Sequence, residues 1–366
     1  MASAPLSLIL ELTHRCPLHC VYCSNPLEMQ ARQNEVDTET WKRVIDEAAN
    51  LGILQLNLTG GEPTLREDLA ELIAHGREKK LYSNVITSAV GLTEEKLKQY
   101  VDAGLDHIQL SIQDAQAGPA NEYAGTKAHA LKLKAAEMIK KFKLAFTVNM
   151  VIHRQNISRL EEMIELAIGL GADRLEIAHV QYYGWAFKNR ALLLPTSEQV
   201  KKSMTIIYAA QERLKGKVRI DFATPDYFAK FPKACMGGWG ATTILIDPAG
   251  RVMPCHSAMV IPGMVFDNVR DQSLSQIWEK SEAFNRFRGD GWMKGPCSSC
   301  DRKAVDFGGC RCQAFLVTGD AAATDPVCSL SPKRPQIKEL IETANGAPIS
   351  SSPQEWIYRK LKDTSS

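Results

Sequence analysis

The sequence predicts an α/β protein: parallel strands joined by helical crossovers, followed by a cysteine-rich region with little regular structure. Three observations point there. A phrase of helix, glycine and short apolar run recurs in "EAANLGILQLNL" (47–58), "VDAGLDHIQLSI" (101–112) and "IGLGADRLEIAH" (168–179). The apolar runs are only a few residues long and are bounded by glycine or polar residues, which suits buried strands. From residue 235 onward the composition changes, and seven of the ten cysteines crowd into a stretch poor in periodic helices.

The elements follow in order. Residues 7–12 read as an opening strand, and "THRCPLHCVYC" (13–23) as a loop after it. Trp41, Val44, Ile45, Ala48 and Ala49 share one helical face, with Asp37 as N-cap and Gly52 as stop. A buried strand at 53–58 runs into Gly60-Gly61-Glu62-Pro63. Further strands at 81–87, 144–150 and inside the two later phrases bring the count to six βα units by residue 179. Regular alternation of this kind makes a parallel sheet. Closed barrel, partial barrel and flat sheet share one consequence, which is that chemistry gathers beyond the carboxyl ends of the strands. The cysteine loop, the glycine pair, Thr87-Ser88, Ser111 and Gln113, Asn149 and His153, and His179 all end strands and converge on one mouth. Later, 242–246 reads as one arm of a hairpin that turns at Asp-Pro-Ala-Gly and returns to Cys255, and 273–288 as a helix. The division expected is 1–215, 216–332 and a basic, partly helical tail at 333–366 anchored by "SSPQEWIYRKL".

Composition narrows the class. A chain of 366 residues with 45% hydrophobic content can bury a core, and 44 basic against 42 acidic residues gives a net charge of +2. That balance supplies no electrostatic reason to expect nucleic acid or an anionic membrane as partner. "MASAPLSLILELTHR" has no basic leader, and no apolar run approaches the roughly 20 residues of a membrane span. A cytoplasmic location is the expectation. In a reducing compartment, clustered cysteines serve as metal ligands or catalytic thiols and not as disulfides.

Cys16-x3-Cys20-x2-Cys23 places three soft donors in one short loop. Structural zinc completed by His14 or His19 is one reading. The other is a 4Fe-4S cluster whose fourth iron is left open to a cosubstrate. With aromatic Tyr22 before the last cysteine, and with "GGEP" at 60–63 after the second strand, the loop resembles the signature of radical S-adenosylmethionine enzymes. The resemblance implies a partial (β/α)6 TIM-like barrel. It also implies that S-adenosylmethionine chelates the open iron through its amino and carboxylate groups and is cleaved to methionine and a 5′-deoxyadenosyl radical. The chemistry would then lie at the cluster, with no catalytic side chain implied. Gly60, Gly61, Glu62 and Pro63 would flank the ammonium, and Thr87, Ser111, Gln113 and Asn149 would supply ribose contacts. Capping and turn formation are the alternative for each of these four. His153 and His179 fit a loop-orienting role.

In the second half, Cys297-x2-Cys300 alone fits zinc. Followed by Asp306, Cys310 and Cys328, and preceded by Cys235 and Cys255, it resembles the SPASM domain, which implies two auxiliary iron–sulfur clusters. Asp306 stands where that pattern has a cysteine. In the family's ligand order, Cys297, Cys300, Asp306 and Cys328 hold one cluster. Cys235, Cys255, Cys310 and, outside the usual spacing, Cys312 hold the other, as a 4Fe-4S or 2Fe-2S centre.

Four segments, "ELTHRCPLHCVYCSNP", "QYYGWAFKNRALLLP", "KACMGGWG" and "CDRKAVDFGGCRCQAFLVTGDAAATDPVCSLSP", together resemble the radical enzymes of pyrroloquinoline quinone biosynthesis. That similarity implies a carbon–carbon bond between glutamate and tyrosine side chains of the precursor peptide PqqA. PqqD would act as peptide chaperone and a protein such as flavodoxin as reductant. "VQYYGWAFKNR" interleaves aromatics with Lys188 and Arg190, either as a rest for the peptide or as packing between domains. Two rivals stand beside this reading. One is another SPASM peptide modifier such as a sulfatase-maturing enzyme, the other a non-catalytic, zinc-stabilised α/β binding protein.

Overall fold

The computed structural model describes residues 3–223, 226–347 and 355–359. In chain order the first half forms β1 (Ser7–Thr13), α1 (Thr38–Asn50), β2 (Gln55–Gly60), α2 (Leu69–Glu78), β3 (Tyr82–Thr87), α3 (Glu94–Asp102) and β4 (His107–Ile112). It continues with α4 (Ala117–Ala124), α5 (His129–Phe142), β5 (Ala145–Ile152), α6 (Leu160–Gly169), β6 (Arg174–His179), α7 (Gly184–Lys188), α8 (Arg190–Leu193), α9 (Ser197–Arg213) and β7 (Arg219–Ala223). The remainder comprises β8 (Thr243–Ile246), β9 (Val252–Met253), α10 (Leu274–Lys280), α11 (Glu282–Asn285), α12 (Lys303–Asp306), α13 (Arg311–Thr318) and α14 (Arg334–Gly346).

All these strands join one sheet in the order β7-β6-β5-β4-β3-β2-β1-β8-β9, open at both ends, and every pairing but the last is parallel. The result is a partial barrel. Its period-two alternation sorts side chains between two environments. Leu8, Leu10, Leu12, Leu56, Leu58, Ile108, Leu110, Val148 and Ile177 are fully buried in the core between sheet and helices. Ile9, Glu11, Thr59, Gln109, Ser111, Asn149 and Glu176, from the opposite face, line the interior.

The helix caps account for the rhythm seen in the sequence. The Asp37 carboxylate accepts from the Thr40 amide at 2.8 Å, a cap worth about 1 kcal/mol. Beyond α1 the chain turns at Gly52 with φ +83°, where a side chain would be strained. Thr196 and Gln199 form a capping box on α9.

Three features differ from the sequence reading. A seventh parallel strand, β7, pairs with β6; its "RIDFA" alternates polar and apolar residues but is only five residues long, too short a run to stand out. The expected hairpin exists as β8–β9, but β8 also lies parallel to β1, so the cysteine-rich region extends the barrel sheet. The expected helix at 273–288 is two helices, because Ser281 takes ψ 133° and redirects the chain to bury Ala283 and Phe284. In the tail, α14 forms and residues 355–359 pack on the barrel; 348–354 and 360–366 lie outside the described residues. Among the described residues, no helix is long and apolar enough to cross a membrane.

Candidate active site

Cys16, Cys20 and Cys23 sit in a segment without helix or strand, so its backbone groups must find partners elsewhere. The His19 and Val21 amides donate to Ala124 O and Tyr123 O beyond the barrel wall. The Val21 carbonyl accepts from Asn189 Nδ2 at 2.9 Å, and the Cys23 carbonyl from the Trp185 amide at 2.9 Å. Thr126 donates to Pro17 O, and Arg359 donates to Cys16 O and Leu18 O. The loop is therefore held from several sides while its three thiols face a cavity of about 450 Å³ at the barrel mouth.

The glycine pair lies against the entry to this loop. A Cβ on Gly60 would come within 2.3 Å of Thr13 O, and one on Gly61 within 2.3 Å of Arg15 O. The Gly61 amide donates to Thr13 O at 2.6 Å. Both glycines line the cavity; the buried Pro63 opens the short turn that follows.

The buried Glu62 carboxylate accepts from Thr64 N and Oγ1, from Thr87 Oγ1 at 2.6 Å, and from the amide and hydroxyl of Ser88 at 2.8 and 2.5 Å. In this arrangement Glu62 braces the end of β3, and Thr87 serves that brace. Tyr22 from the cysteine loop, and Ser111, Gln113 and Asn149 from the ends of β4 and β5, all reach the same cavity.

His153 and His179 are buried, and burial pushes both imidazoles down to about 3, so they are neutral. The His153 Nδ1 accepts from the Gln155 amide at 3.3 Å, while both nitrogens of His179 lack hydrogen-bond partners among the described residues.

Two groups escaped sequence reasoning. Lys132 on α5 is 1% exposed and donates to Ser111 O at 2.9 Å. Among the described residues its ammonium has no carboxylate within ion-pair distance. Burial pushes it down to about 8 against the opposing pull of Cys20, Glu62 and Cys16. The second is Glu11, on the interior face of β1. Burial raises it, but hydrogen bonds with His14 at 3.1 Å and His256 at 2.6 Å prevail and hold it at about 2. This carboxylate ties the barrel to the residue after Cys255. A lysine at a helical position reads as solvated, and a lone glutamate in a strand carries no motif, so neither was recoverable from the sequence.

In the second half, the four thiols of Cys235, Cys255, Cys310 and Cys312 come together. Cys255 Sγ lies 3.8 Å from Cys312 Sγ, Cys235 contacts both Cys255 and Cys310, and the Tyr183 hydroxyl lies 2.9 Å from Cys310 Sγ. Thiol–thiol hydrogen bonds from Cys235 and Cys312 hold Cys255 and Cys310 well below the usual thiol range. Cys297, Cys300, Asp306 and Cys328 line a separate, small pocket. The Asp306 carboxylate accepts from the Gly308 amide at 3.1 Å.

The aromatic segment after β6 packs against the cysteine loop. Gly184 lies so near it that a Cβ would sit 2.2 Å from Asn25 O. Lys188 and Arg190 stack over Trp185 and Phe187, at 5.4 and 4.8 Å from the ring centroids.

Comparison with known proteins agrees with this layout. The Radical SAM superfamily model matches residues 10–167, and the SPASM iron-sulfur cluster-binding domain model matches residues 235–301. A PqqA peptide cyclase of Methylobacterium nodulans is 54% identical over 92% of this chain and 89% of its own length. That of Rhodopseudomonas palustris is 52% identical over 98% and 94%. Among solved structures, Streptococcus suis SuiB bound to S-adenosylmethionine has a TM-score of 0.75 at 18% identity, covering 90% of this chain and 78% of its own. AnSMEcpe with bound AdoMet has a TM-score of 0.63 at 18% identity, covering 93% of each chain. These two likenesses concern the fold. The chain belongs to the PqqA peptide cyclase family of radical S-adenosylmethionine enzymes with a SPASM domain.

Proposed function

We propose that this enzyme joins the γ-carbon of a glutamate to the ring of a tyrosine within PqqA, presented by PqqD. The observation that carries the reading is the single cavity onto which Cys16, Cys20, Cys23, the glycine pair and the polar ends of β3, β4 and β5 open.

The residues fit the groups this chemistry needs. Three thiols with no fourth thiol in the loop suit a 4Fe-4S cluster with one open iron. The buried ammonium of Lys132 calls for an anion, which the cluster or the cosubstrate carboxylate provides. When bound, the reduced cluster and S-adenosylmethionine supply a hydrogen-abstracting 5′-deoxyadenosyl radical, and the two auxiliary clusters supply an electron acceptor.

The chain's own residues then bind, orient and exclude water. Gly60 and Gly61 bring backbone against the cosubstrate amino group, and Glu62 keeps that turn rigid. Ser111, Gln113 and Asn149 present hydrogen-bonding groups to the ribose, while Thr87 keeps its hydroxyl on Glu62 and Ala89. Neutral His179 adds no charge to the cavity wall, and neutral His153 lies outside its lining. Cys297, Cys300, Asp306 and Cys328 hold one auxiliary cluster, and Cys235, Cys255, Cys310 and Cys312 the other, each closed by four protein ligands. Lys188 and Arg190, over their aromatic rings, border the way in for the peptide, and flavodoxin is a fitting reductant.

The net change in the peptide is the loss of one hydrogen atom from the glutamate γ-carbon, and of one electron and one proton from the tyrosine ring. Anaerobic incubation with PqqA, PqqD, S-adenosylmethionine and reductant tests it. The expected product is a peptide lighter by two hydrogens, with fragments linking the two side chains, and methionine and 5′-deoxyadenosine formed alongside. Cosubstrate cleavage with unchanged peptide mass under these conditions would refute the Glu–Tyr assignment.

A further inference from the structure

The last described residues, 355–359, form a strap across the cysteine loop. Trp356 Nε1 donates to the Glu122 carboxylate at 2.6 Å, and the Tyr358 hydroxyl to Glu122 O at 3.0 Å. Asn189 fixes the middle. Its side chain donates to Ile357 O and accepts from the Ile357 amide, both at 2.9 Å, and the same amide group donates to Val21 O.

The end of the strap is Arg359. Its Nη2 donates to Cys16 O at 2.7 Å and to Leu18 O at 2.5 Å, while its own carbonyl meets His19 Nδ1 at 2.8 Å. It also lines the cavity onto which the three thiols open. One side chain from the far end of the sequence thus grips both sides of the first ligand-bearing turn and leaves its charge beside the thiols.

We infer that Arg359 is a positioning residue for the radical reaction: its guanidinium fixes the Cys16–Leu18 turn and places a permanent positive charge beside the cluster that the loop binds. The inference rests on the cluster reading given above. A guanidinium stays charged at every working pH. Electron uptake adds negative charge to a cluster, so a nearby cation favours the reduced form, and hydrogen bonds and net charge around a cluster are what set its potential. The same cation lines the cavity onto which Cys16, Cys20 and Cys23 open. Removing the charge makes the first electron harder to deliver. Loosening the strap does so in part.

The test is an EPR-monitored redox titration of the anaerobically reconstituted full chain. The parent is compared with Arg359→Gln, which removes the charge, Arg359→Lys, which keeps it, and Trp356→Ala, which leaves Arg359 in place but loosens its support. Arg359→Gln is expected to disfavour reduction of the radical cluster about tenfold, or about 59 mV for one electron. Arg359→Lys should recover most of that shift, and Trp356→Ala should move about threefold in the same direction. The auxiliary signals should stay fixed in all three.

A parent-like potential in Arg359→Gln, or an equal shift at the auxiliary clusters, overturns the inference. If Arg359→Gln fails to hold the radical cluster, Trp356→Ala decides alone: a shift supports the inference and none overturns it. A parent protein without a cluster on this loop would defeat the cluster assignment instead.

Discussion

Single side chains do much of the work that regular structure does elsewhere. Glu62 entered as an acceptor for a ligand and is found spending its carboxylate on Thr64, Thr87 and Ser88. Asn189 joins the cysteine loop to the tail through three hydrogen bonds at a position 2% exposed. His153 and His179 carry a measurable consequence. Both lie at about 3 in the folded protein, below the ordinary histidine value of 6.5, so the unfolded chain binds more protons than the folded one at mildly acidic pH. Their contribution to stability is complete above pH 6.5 and falls as pH drops from 6.5 toward 3. Each withdraws up to about 1.4 kcal/mol per pH unit in that window. In urea unfolding at pH 7 and pH 5, a His153→Phe/His179→Phe protein should lose clearly less stability than its parent. Equal losses would mean that these imidazoles are charged in the fold.

Among the elements, the β8–β9 hairpin matters most for placing the second half. Its pairing with β1 sets Cys255 and His256 at the barrel rim, where Glu11 takes the His256 imidazole. The sequence showed the hairpin, since "TILI", a proline-glycine turn and a return strand are local signals. It did not show the neighbour on the other side, because β1 lies more than two hundred residues away. The helix α12 ends on Asp306, in the same cavity as Cys297, Cys300 and Cys328. Replacing that carboxylate by a thiol should leave the fold intact, at about 1 kcal/mol for the lost bond to Gly308. It should also shift the EPR spectrum and potential of one auxiliary cluster. An unaltered spectrum removes Asp306 from the ligand set.

Across the entire chain, the features legible beforehand were those with a local signature: the cysteine spacing, the "GGEP" turn and the alternation that makes a parallel sheet. The convergence of strand ends on one mouth followed from topology alone, and Ser111, Gln113 and Asn149 do open onto one cavity. What escaped were long-range relations. Lys132 is buried where α5 packs against the end of β4, and Arg359 reaches Cys16 across 343 positions of sequence. Even the glycine pair, expected beside the cosubstrate ammonium, is required by the close pass of Thr13 and Arg15.

One incompletely ligated cluster where Cys16, Cys20 and Cys23 meet the cavity is the central proposal. Anaerobic reconstitution of a Cys16→Ala/Cys20→Ala/Cys23→Ala protein, followed by assay of 5′-deoxyadenosine with S-adenosylmethionine and dithionite, addresses that placement. The protein should keep its auxiliary iron and form no 5′-deoxyadenosine; sustained cleavage by the triple variant would contradict it.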